Sequence, residues 1–338
     1  MQFATYIPVL VLGFAVSLGL TPLSRRIALW LGLVSRPKGE RLSLDPTPLL
    51  GGLAIYGALV LALVLLGLPG HFVELGAILA GATLMALLGL WDDRRELRPG
   101  MKFVGQLAAG VVLILAGVHV SLFGVPVLDW ALTLFWLVGI TNAINFLDNM
   151  DGLAAGVSAI AAGFFFVIAA IEGQYLVGSL AAALCGASFG FLVYNFNPAS
   201  SFMGDMGSMV LGFTLAVLGI KLRFEGTPQA ITWMVPIIVL ALPIFDTTLV
   251  TFTRLREGRS VSQGGTDHTS HRLLHAGLSQ RAVLFILYAV CAVLGVAAAV
   301  VSQGSQTTAW LIGGAVAVGA AAAFVLLEWR YIKRTRRA

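Results

Sequence analysis

Charged residues are scarce in this 338-residue chain, only 11% of it against 58% hydrophobic, and the mean hydropathy is +0.93. That excludes an ordinary soluble domain, in which about a quarter of residues are charged, and it excludes a disordered chain, which needs low hydrophobicity. Cysteine is almost missing as well. Cys185 and Cys291 both fall inside apolar runs, so a disulfide framework and thiolate metal sites are excluded and both read as small packed hydrophobes. No basic stretch precedes the first apolar run, whose basic residues follow it, so it reads as a retained anchor rather than a cleaved leader. There is neither a fixed-period repeat nor a polar stretch long enough for a soluble domain. The net charge of +5 is accounted for by basic residues at a membrane face, and no nucleic-acid partner is implied.

What remains is apolar sequence in lengths that match a bilayer core, about 20 residues each. Runs near 3–23, 49–68, 71–91, 103–120, 128–146, 152–171, 174–194, 206–222, 229–252, 281–302 and 306–328 give about eleven spans. The expected fold is an all-α polytopic membrane protein, a single transmembrane helical bundle over residues 1–338. An odd count puts the termini on opposite sides, and arginine and lysine choose the sides. Alternate connections collect roughly nineteen of them, from Arg25 to Arg337, while the other side holds Lys221 and Arg223. This sets the N-terminus outside and the C-terminus in the cytoplasm, with the segments 24–48, 92–102, 142–152, 195–208 and 253–280 at the cytoplasmic face. Pro236 and Pro243 fall within the ninth run, where each removes a backbone donor, so that helix is expected to kink. The segment from Val120 to Leu128, punctuated by Gly124 and Pro126, has the alternation of a small hairpin. The basic tail from Arg330 to Arg337 is expected to lie on anionic lipid headgroups.

Polar chemistry interrupts the apolar runs at few places, all on the predicted cytoplasmic side, and a carboxylate at a membrane edge is costly enough to suggest function. Asp92 and Asp93 end the third run. Adjacent carboxylates raise each other's proton affinity unless a cation compensates, and Mg²⁺, which takes hard oxygen ligands and shares them with phosphates, is the natural one. A solvated cap paired with Arg94 and Arg95 is the competing reading. Asn142, Asn145 and Asp148 follow helical spacing and, with Asp151, offer donors and acceptors suited to a nucleoside or sugar headgroup. A polar stripe joining helices is the alternative. Asp205 stands between glycines just before the eighth run, where it is either a ligand carrier near unpaired helix-start amides or an N-cap. Asp246 lies just past Pro243. His268, His271 and His275 would form one stripe if their segment is helical. With carboxylates and amides in the other clusters, they suit phosphate contact or proton transfer better than zinc; the alternative is loop histidines scattered on a basic surface. Glu74, Asp129, Glu172 and Glu225 carry no assigned role.

Five blocks in order carry a family resemblance: Pro48-Leu49-Leu50-Gly51-Gly52, Asp92-Asp93 with Lys102-Phe103 and Gln106, Asn142 to Gly152, Phe202-Met203-Gly204-Asp205-Met206-Gly207-Ser208, and the histidine segment. Together they resemble the polyprenyl-phosphate N-acetylhexosamine-1-phosphate transferases, glycosyltransferase family 4. That family includes the phospho-MurNAc-pentapeptide translocase and the GlcNAc-1-phosphate transferases that begin envelope polysaccharides. The resemblance implies a multi-pass enzyme of a bacterial-type inner membrane with a cytoplasmic active site. Such an enzyme moves a sugar-1-phosphate from a UDP-sugar to a polyprenyl phosphate such as undecaprenyl phosphate, releasing UMP, with Mg²⁺ as cofactor and Mn²⁺ as an allowed substitute. By position Asp92 and Asp93 match the family's paired catalytic and metal-binding aspartates, Asp205 its metal aspartate and Lys102 a phosphate-contacting lysine. Asn145, Asp148 and Asp151 match the nucleotide-side cluster, which Asn142 joins by its helical spacing. His268 is implied in catalysis and His271 in substrate binding.

Two departures stand out. Asn149 occupies a position where many members have glycine, and Ser270 replaces one imidazole of the usual histidine block. The three consecutive histidines of the pentapeptide branch are absent, and Pro243-Ile244-Phe245-Asp246-Thr247 followed by Arg254 is similar to the GlcNAc branch. GlcNAc-1-phosphate is therefore the expected cargo and phospho-MurNAc-pentapeptide the alternative; a homodimer is compatible with either. A secondary transporter is the alternative of another class, because carboxylates and proline-broken helices also mark transport sites, but those lie near the bilayer midplane rather than at span ends.

Overall fold

In a medium without water, backbone N–H and C=O groups must pair within their own segment, and long apolar sequence folds as helix. The computed structural model describes residues 3–35, 47–66, 70–224 and 229–335. Its first eight helices are α1 (Ile7–Trp30), α2 (Gly51–Leu66), α3 (Phe72–Arg94), α4 (Pro99–Leu115), α5 (Pro126–Leu147), α6 (Leu153–Ile171), α7 (Tyr175–Asn195) and α8 (Gly204–Lys221). They are followed by α9 (Gln229–Thr232), α10 (Met234–Val239), α11 (Ala241–Arg256), α12 (Thr269–His275), α13 (Gln280–Gln303) and α14 (Gln306–Thr335). Arg36, Lys38 and Arg41 of the predicted 24–48 connection, and Arg336 and Arg337 of the tail, lie outside the described residues. Among the described residues 8 helices are long and apolar enough to cross a membrane: α1 with the short turn before it, α3, α5, α6, α7, α8, α13 and α14. The protein is thus a multi-pass membrane protein, and nearly all of it is helix. The exception is a ladder between β1 (Val34–Ser35) and β2 (Thr47–Pro48), antiparallel with Val34 opposite Pro48.

The chain divides into two compact units, Met1–Glu225 and Gly226–Ala338. In the first, α7 packs against α1, α2 and α6, while α8 packs against α3, α5 and α2. Lipid tails are as apolar as leucine, so helices in a bilayer associate through close approach at small residues. A Cβ added to Gly212 of α8 would stand 2.7 Å from Thr141 Cα of α5, and one added to Gly207 would stand 2.9 Å from Gly52 Cα of α2. Gly89 of α3 meets the backbone of Asp205 in the same way, at 2.5 Å. These contacts press the start of α8 against the end of α3.

The predicted hairpin from Val120 to Leu128 is absent; the segment is irregular backbone with a bend at 122–124, running into α5 at Pro126. Its backbone donors find side chains instead of a strand partner. Asp129 accepts the N–H groups of Leu122 (3.0 Å) and Phe123 (2.8 Å), and Thr133 Oγ1 accepts that of Val120 (2.9 Å). Asp129, given no role from sequence, therefore holds this connection. Glu74, also given none, pairs with Lys221 at 2.8 Å.

In the second unit the ninth apolar run is divided at Trp233 and Leu240 into α9, α10 and α11. Pro236 and Pro243 each fall in the first turn of the helix they belong to, where a missing N–H leaves no intrahelical bond broken. Helices α11, α12 and α14 pack together with α13. The most apolar window of α14 is 0% buried within the protein, a face for lipid.

Candidate active site

In the first unit the ends of four helices meet. Asp92 and Asp93 lie in the last turn of α3, Lys102 in the first turn of α4, Asn145 near the end of α5 and Asp205 in the first turn of α8. Lys102 Nζ donates to Asp205 Oδ2 at 2.7 Å and is also paired with Asp92 Oδ2. The other oxygen of Asp92 accepts the Leu97 N–H at 2.6 Å, which fixes the turn between α3 and α4. The second oxygen of Asp205 accepts Asn145 Nδ2 at 3.0 Å, and the same amide donates to Ser208 Oγ at 2.8 Å. Two carboxylates, Asp92 and Asp205, thus share one ammonium in a half-buried setting, where charges interact more strongly than in water.

Asp93 works differently. Its Oδ1 accepts the backbone N–H of Asp205 at 2.8 Å and its Oδ2 that of Met206 at 3.2 Å. The N-cap residue of α8, Met203, supplies no side-chain cap, so the first amides of α8 are capped from α3. This corrects the reading of Asp205 as the cap: the free amides expected there are taken by a carboxylate 112 residues away in sequence, leaving Asp205 to face Lys102. Gly204 makes the arrangement sterically feasible. It has φ +67°, and a Cβ on it would meet Asp93 Oδ2 at 2.5 Å and Leu49 O at 2.7 Å.

Of the predicted nucleotide-side residues, Asn145 alone bonds to Asp205. Asn142 exchanges hydrogen bonds with Gln106 of α4, the stronger from Asn142 Nδ2 to Gln106 Oε1 at 2.7 Å. Asp151 accepts Asn197 Nδ2 (3.2 Å) and the Ala199 N–H (3.0 Å), bracing the connection before α8. Asp148 ends α5, its N–H bonded to Asn145 O at 3.2 Å. Asn195 ties the two sides of this connection by accepting the Gly152 N–H and donating to Ser201 O.

The second unit holds its own polar core. His268 Nδ1 lies 2.8 Å from Asp246 Oδ2, and Asp246 Oδ1 accepts the Thr269 N–H at 2.6 Å. Arg254 grips Asp267 with two bonds, of 3.0 and 2.9 Å, and Arg259 adds a third at 2.8 Å. Burial alone would raise the Asp267 carboxyl, but the hydrogen bonds and charge of Arg254, with Arg259, hold it at about 2. Arg272 donates to Asp267 O, Leu327 O, Glu328 and Thr253, and Arg256 pairs with Glu328 at 2.5 Å. The predicted histidine stripe divides. His268 is the N-cap of α12 and stays within 6.1 Å of the His271 ring, whereas His275 lines a separate cavity with Arg330 and Arg334. Burial, then His268 and His275, push the His271 imidazole down to about 4, so it is neutral near pH 7.

Asp246 was visible in the sequence as a buried carboxylate but without a partner. Arg272, Glu328 and Thr253 gave no signal, because a single acid or base near the end of an apolar run reads as an interfacial residue. Among the described residues no three Asp, Glu, His or Cys side chains are gathered as a ready set of metal ligands. The donor chemistry of Asp92 and Asp205 still fits a hard divalent cation: both are oxygen donors, and one ammonium serves the two.

Fold and cluster together define a multi-pass membrane protein with a polar cluster at helix ends, and its relatives are transferases. A model of glycosyl transferase family 4 matches residues 75–223, the stretch from α3 to the end of α8. The probable undecaprenyl-phosphate N-acetylglucosaminyl 1-phosphate transferase of Bacillus subtilis is 35% identical over 301 residues, covering 86% of this chain and 83% of that protein. The decaprenyl-phosphate N-acetylglucosaminephosphotransferase of Mycobacterium tuberculosis is 34% identical over 343 residues, covering 90% and 85%. The phospho-N-acetylmuramoyl-pentapeptide-transferase of Lacticaseibacillus paracasei is 36% identical, but over only 53% of this chain and 62% of its own length. The chain belongs to glycosyl transferase family 4. The two N-acetylglucosamine-phosphate transferases match over most of their length, and the pentapeptide transferase over part of its own.

Proposed function

We propose that this enzyme transfers GlcNAc-1-phosphate from UDP-GlcNAc to a polyprenyl phosphate of undecaprenyl type, releasing UMP at the cytoplasmic face in a Mg²⁺-dependent reaction. The observation that carries the proposal is the cluster in which Lys102 bridges Asp92 and Asp205 beside Asn145. The names of the long-matching relatives support the carrier lipid and the sugar, and the excess of lysine and arginine on alternate connections supports the orientation. About eleven spans remain the expected count, and the prolines of the ninth run suit a bent helix beside which an isoprenoid tail would lie.

The reaction joins a lipid phosphate oxygen to the sugar-linked phosphorus of the UDP-sugar and breaks that phosphorus' bond to the bridging oxygen, which departs on UMP. Both reactants are polyanions, so positioning and charge neutralisation are the whole task. Asp205 and Asp92 would hold the Mg²⁺, which when bound polarises the diphosphate and neutralises charge on the leaving phosphate. Lys102, released from its two carboxylates, turns to a phosphate oxygen with a charge-assisted bond. Asp93 holds the start of α8 in place, which sets Asp205. No general base is compulsory, because a phosphate monoester with a second pKa of about 6 is already largely deprotonated at neutral pH. Asn142, Asp148 and Asp151 serve the nucleotide side. Asp246 positions His268 through Nδ1, Arg254 lies against its other nitrogen, and His268 and His271 serve the substrate side as the family resemblance implies.

Donor profiling tests the reading. The purified chain is supplied with undecaprenyl phosphate and, in turn, UDP-GlcNAc, UDP-GalNAc and UDP-MurNAc-pentapeptide, with UMP release followed. UDP-GlcNAc is expected to give the highest kcat/KM; preference for the pentapeptide donor would move the enzyme to the other branch, and no UMP from any donor would remove the proposal.

A further inference from the structure

The basic end of α14 does more than lie at a surface. Between α12 and the last turns of α14 is a cavity of about 400 Å³ walled by Arg272, His275, Arg330, Lys333 and Arg334. Arg272 is already committed to Glu328, Thr253 and two carbonyls, and its guanidinium stacks at 4.5 Å on the Tyr331 ring. It forms a rigid wall. Arg330, Lys333 and Arg334 are exposed, and among the described residues none of the three is paired with a carboxylate. Lys333 rests on the Trp329 ring at 4.8 Å. Burial and the adjacent Arg334 lower the pKa of His275, which keeps it a neutral hydrogen-bonding group among cations.

We infer that this cavity is a binding site for the phosphate of an anionic membrane lipid. A size of about 400 Å³ lies within the range of small-molecule sites, and three cations without carboxylate partners set the charge of the occupant. Leu273 and Leu327 supply apolar wall beside them, which suits the first carbons of a lipid and not a free anion. The cavity opens at the polar end of a helix whose apolar window faces away from the protein, with Trp329 and Tyr331 at the level where interfacial aromatics sit. Basic clusters of this kind beside a membrane helix attract anionic lipid. The inference uses none of the transfer residues and stands apart from the reaction proposed above.

The full-length protein, purified in a neutral detergent, is titrated with phosphatidylglycerol or with phosphatidylcholine of the same chains, and bound lipid is counted by native mass spectrometry. Wild type is expected to bind phosphatidylglycerol at least about tenfold more tightly than Arg330→Gln/Lys333→Gln/Arg334→Gln, with phosphatidylcholine unaffected. The charge-conserving Arg330→Lys/Arg334→Lys is expected to bind as wild type does. A control triple of equal charge loss elsewhere, Arg94→Gln/Arg95→Gln/Arg98→Gln, is expected to retain binding. Equal affinity in the first triple, equal loss in the control, or full displacement of the lipid by millimolar inorganic phosphate would each overturn the inference, the last by making the site one for free phosphate.

Discussion

In the first unit Asp92 and Asp205 share the single ammonium of Lys102, with Asp93 beside them on the first amides of α8, whereas in the second the guanidiniums of Arg254, Arg256, Arg259 and Arg272 close on Asp267 and Glu328. Exposure divides only their centres: the side chains of Lys102 and Asp205 are 23% and 30% exposed and those of Arg254 and Asp267 2% each, while Arg256 and Arg259 at the edge of the second cluster are as open as the first. A cluster short of positive charge and open to solvent can take up a cation and then a polyanion. A cluster whose carboxylates are each already gripped by two guanidiniums is committed to its own fold, and serves as scaffold. Charged groups in one chain therefore teach opposite lessons according to whether their balance is complete.

The comparison can be broken from either side, and the largest effect is expected in the first unit. Asp205→Asn should lower UMP release by about a hundredfold or more with thermal unfolding close to wild type, since it removes one of several like charges. A large loss of stability with little loss of turnover would reverse the roles assigned to the two clusters. Arg254→Leu should do what Asp205→Asn does not, because it removes the buried two-bond partner of Asp267 and leaves it the half-buried Arg259, destabilising the fold by about 3 kcal/mol; unfolding in detergent by heat or urea would read this. A milder effect belongs to Asp246→Asn, which keeps the shape but weakens the orientation of His268. A fall of about tenfold in kcat with KM little changed is expected, and a change confined to stability would leave His268 as a packing residue.

The smallest effect is one of pH. Folding lowers the His271 pKa from 6.5 to about 4, so between those values the unfolded chain holds the extra proton and stability rises with pH. Stability contributed by the neutral imidazole is complete above about 6.5 and is lost as pH falls toward 4. His271→Gln should flatten this part of the melting-temperature profile. An unchanged slope would assign it to other groups.

Much of this was legible in the sequence where the signal was local. Long apolar runs specify membrane helices because the bilayer allows little else; edges were misplaced where helix continues past charge, as α1 does beyond Arg25 and Arg26 to Trp30, and where it stops early, as α4 does at Leu115. Asp92, Asn145 and Asp205 could be named because carboxylates and amides at the ends of apolar runs are rare enough to stand out, whereas Lys102 was named only through the family resemblance. Partnerships were not legible. The service of Asp93 as a cap for α8 depends on Gly89 and Gly204 letting two helix ends touch, and the closure of Glu328 on Arg272 and Arg256 depends on how α14 packs against α12 and α11. The alternation from Val120 to Leu128 read as strand because nothing local revealed that Asp129 would take the backbone donors.

The most direct test of the first cluster as a cation-dependent transfer centre is UMP release by wild-type protein from UDP-GlcNAc and undecaprenyl phosphate, measured before and after adding excess chelator and again after restoring Mg²⁺. Release is expected to stop with the chelator and to return with the metal. An undiminished rate in excess chelator would contradict it.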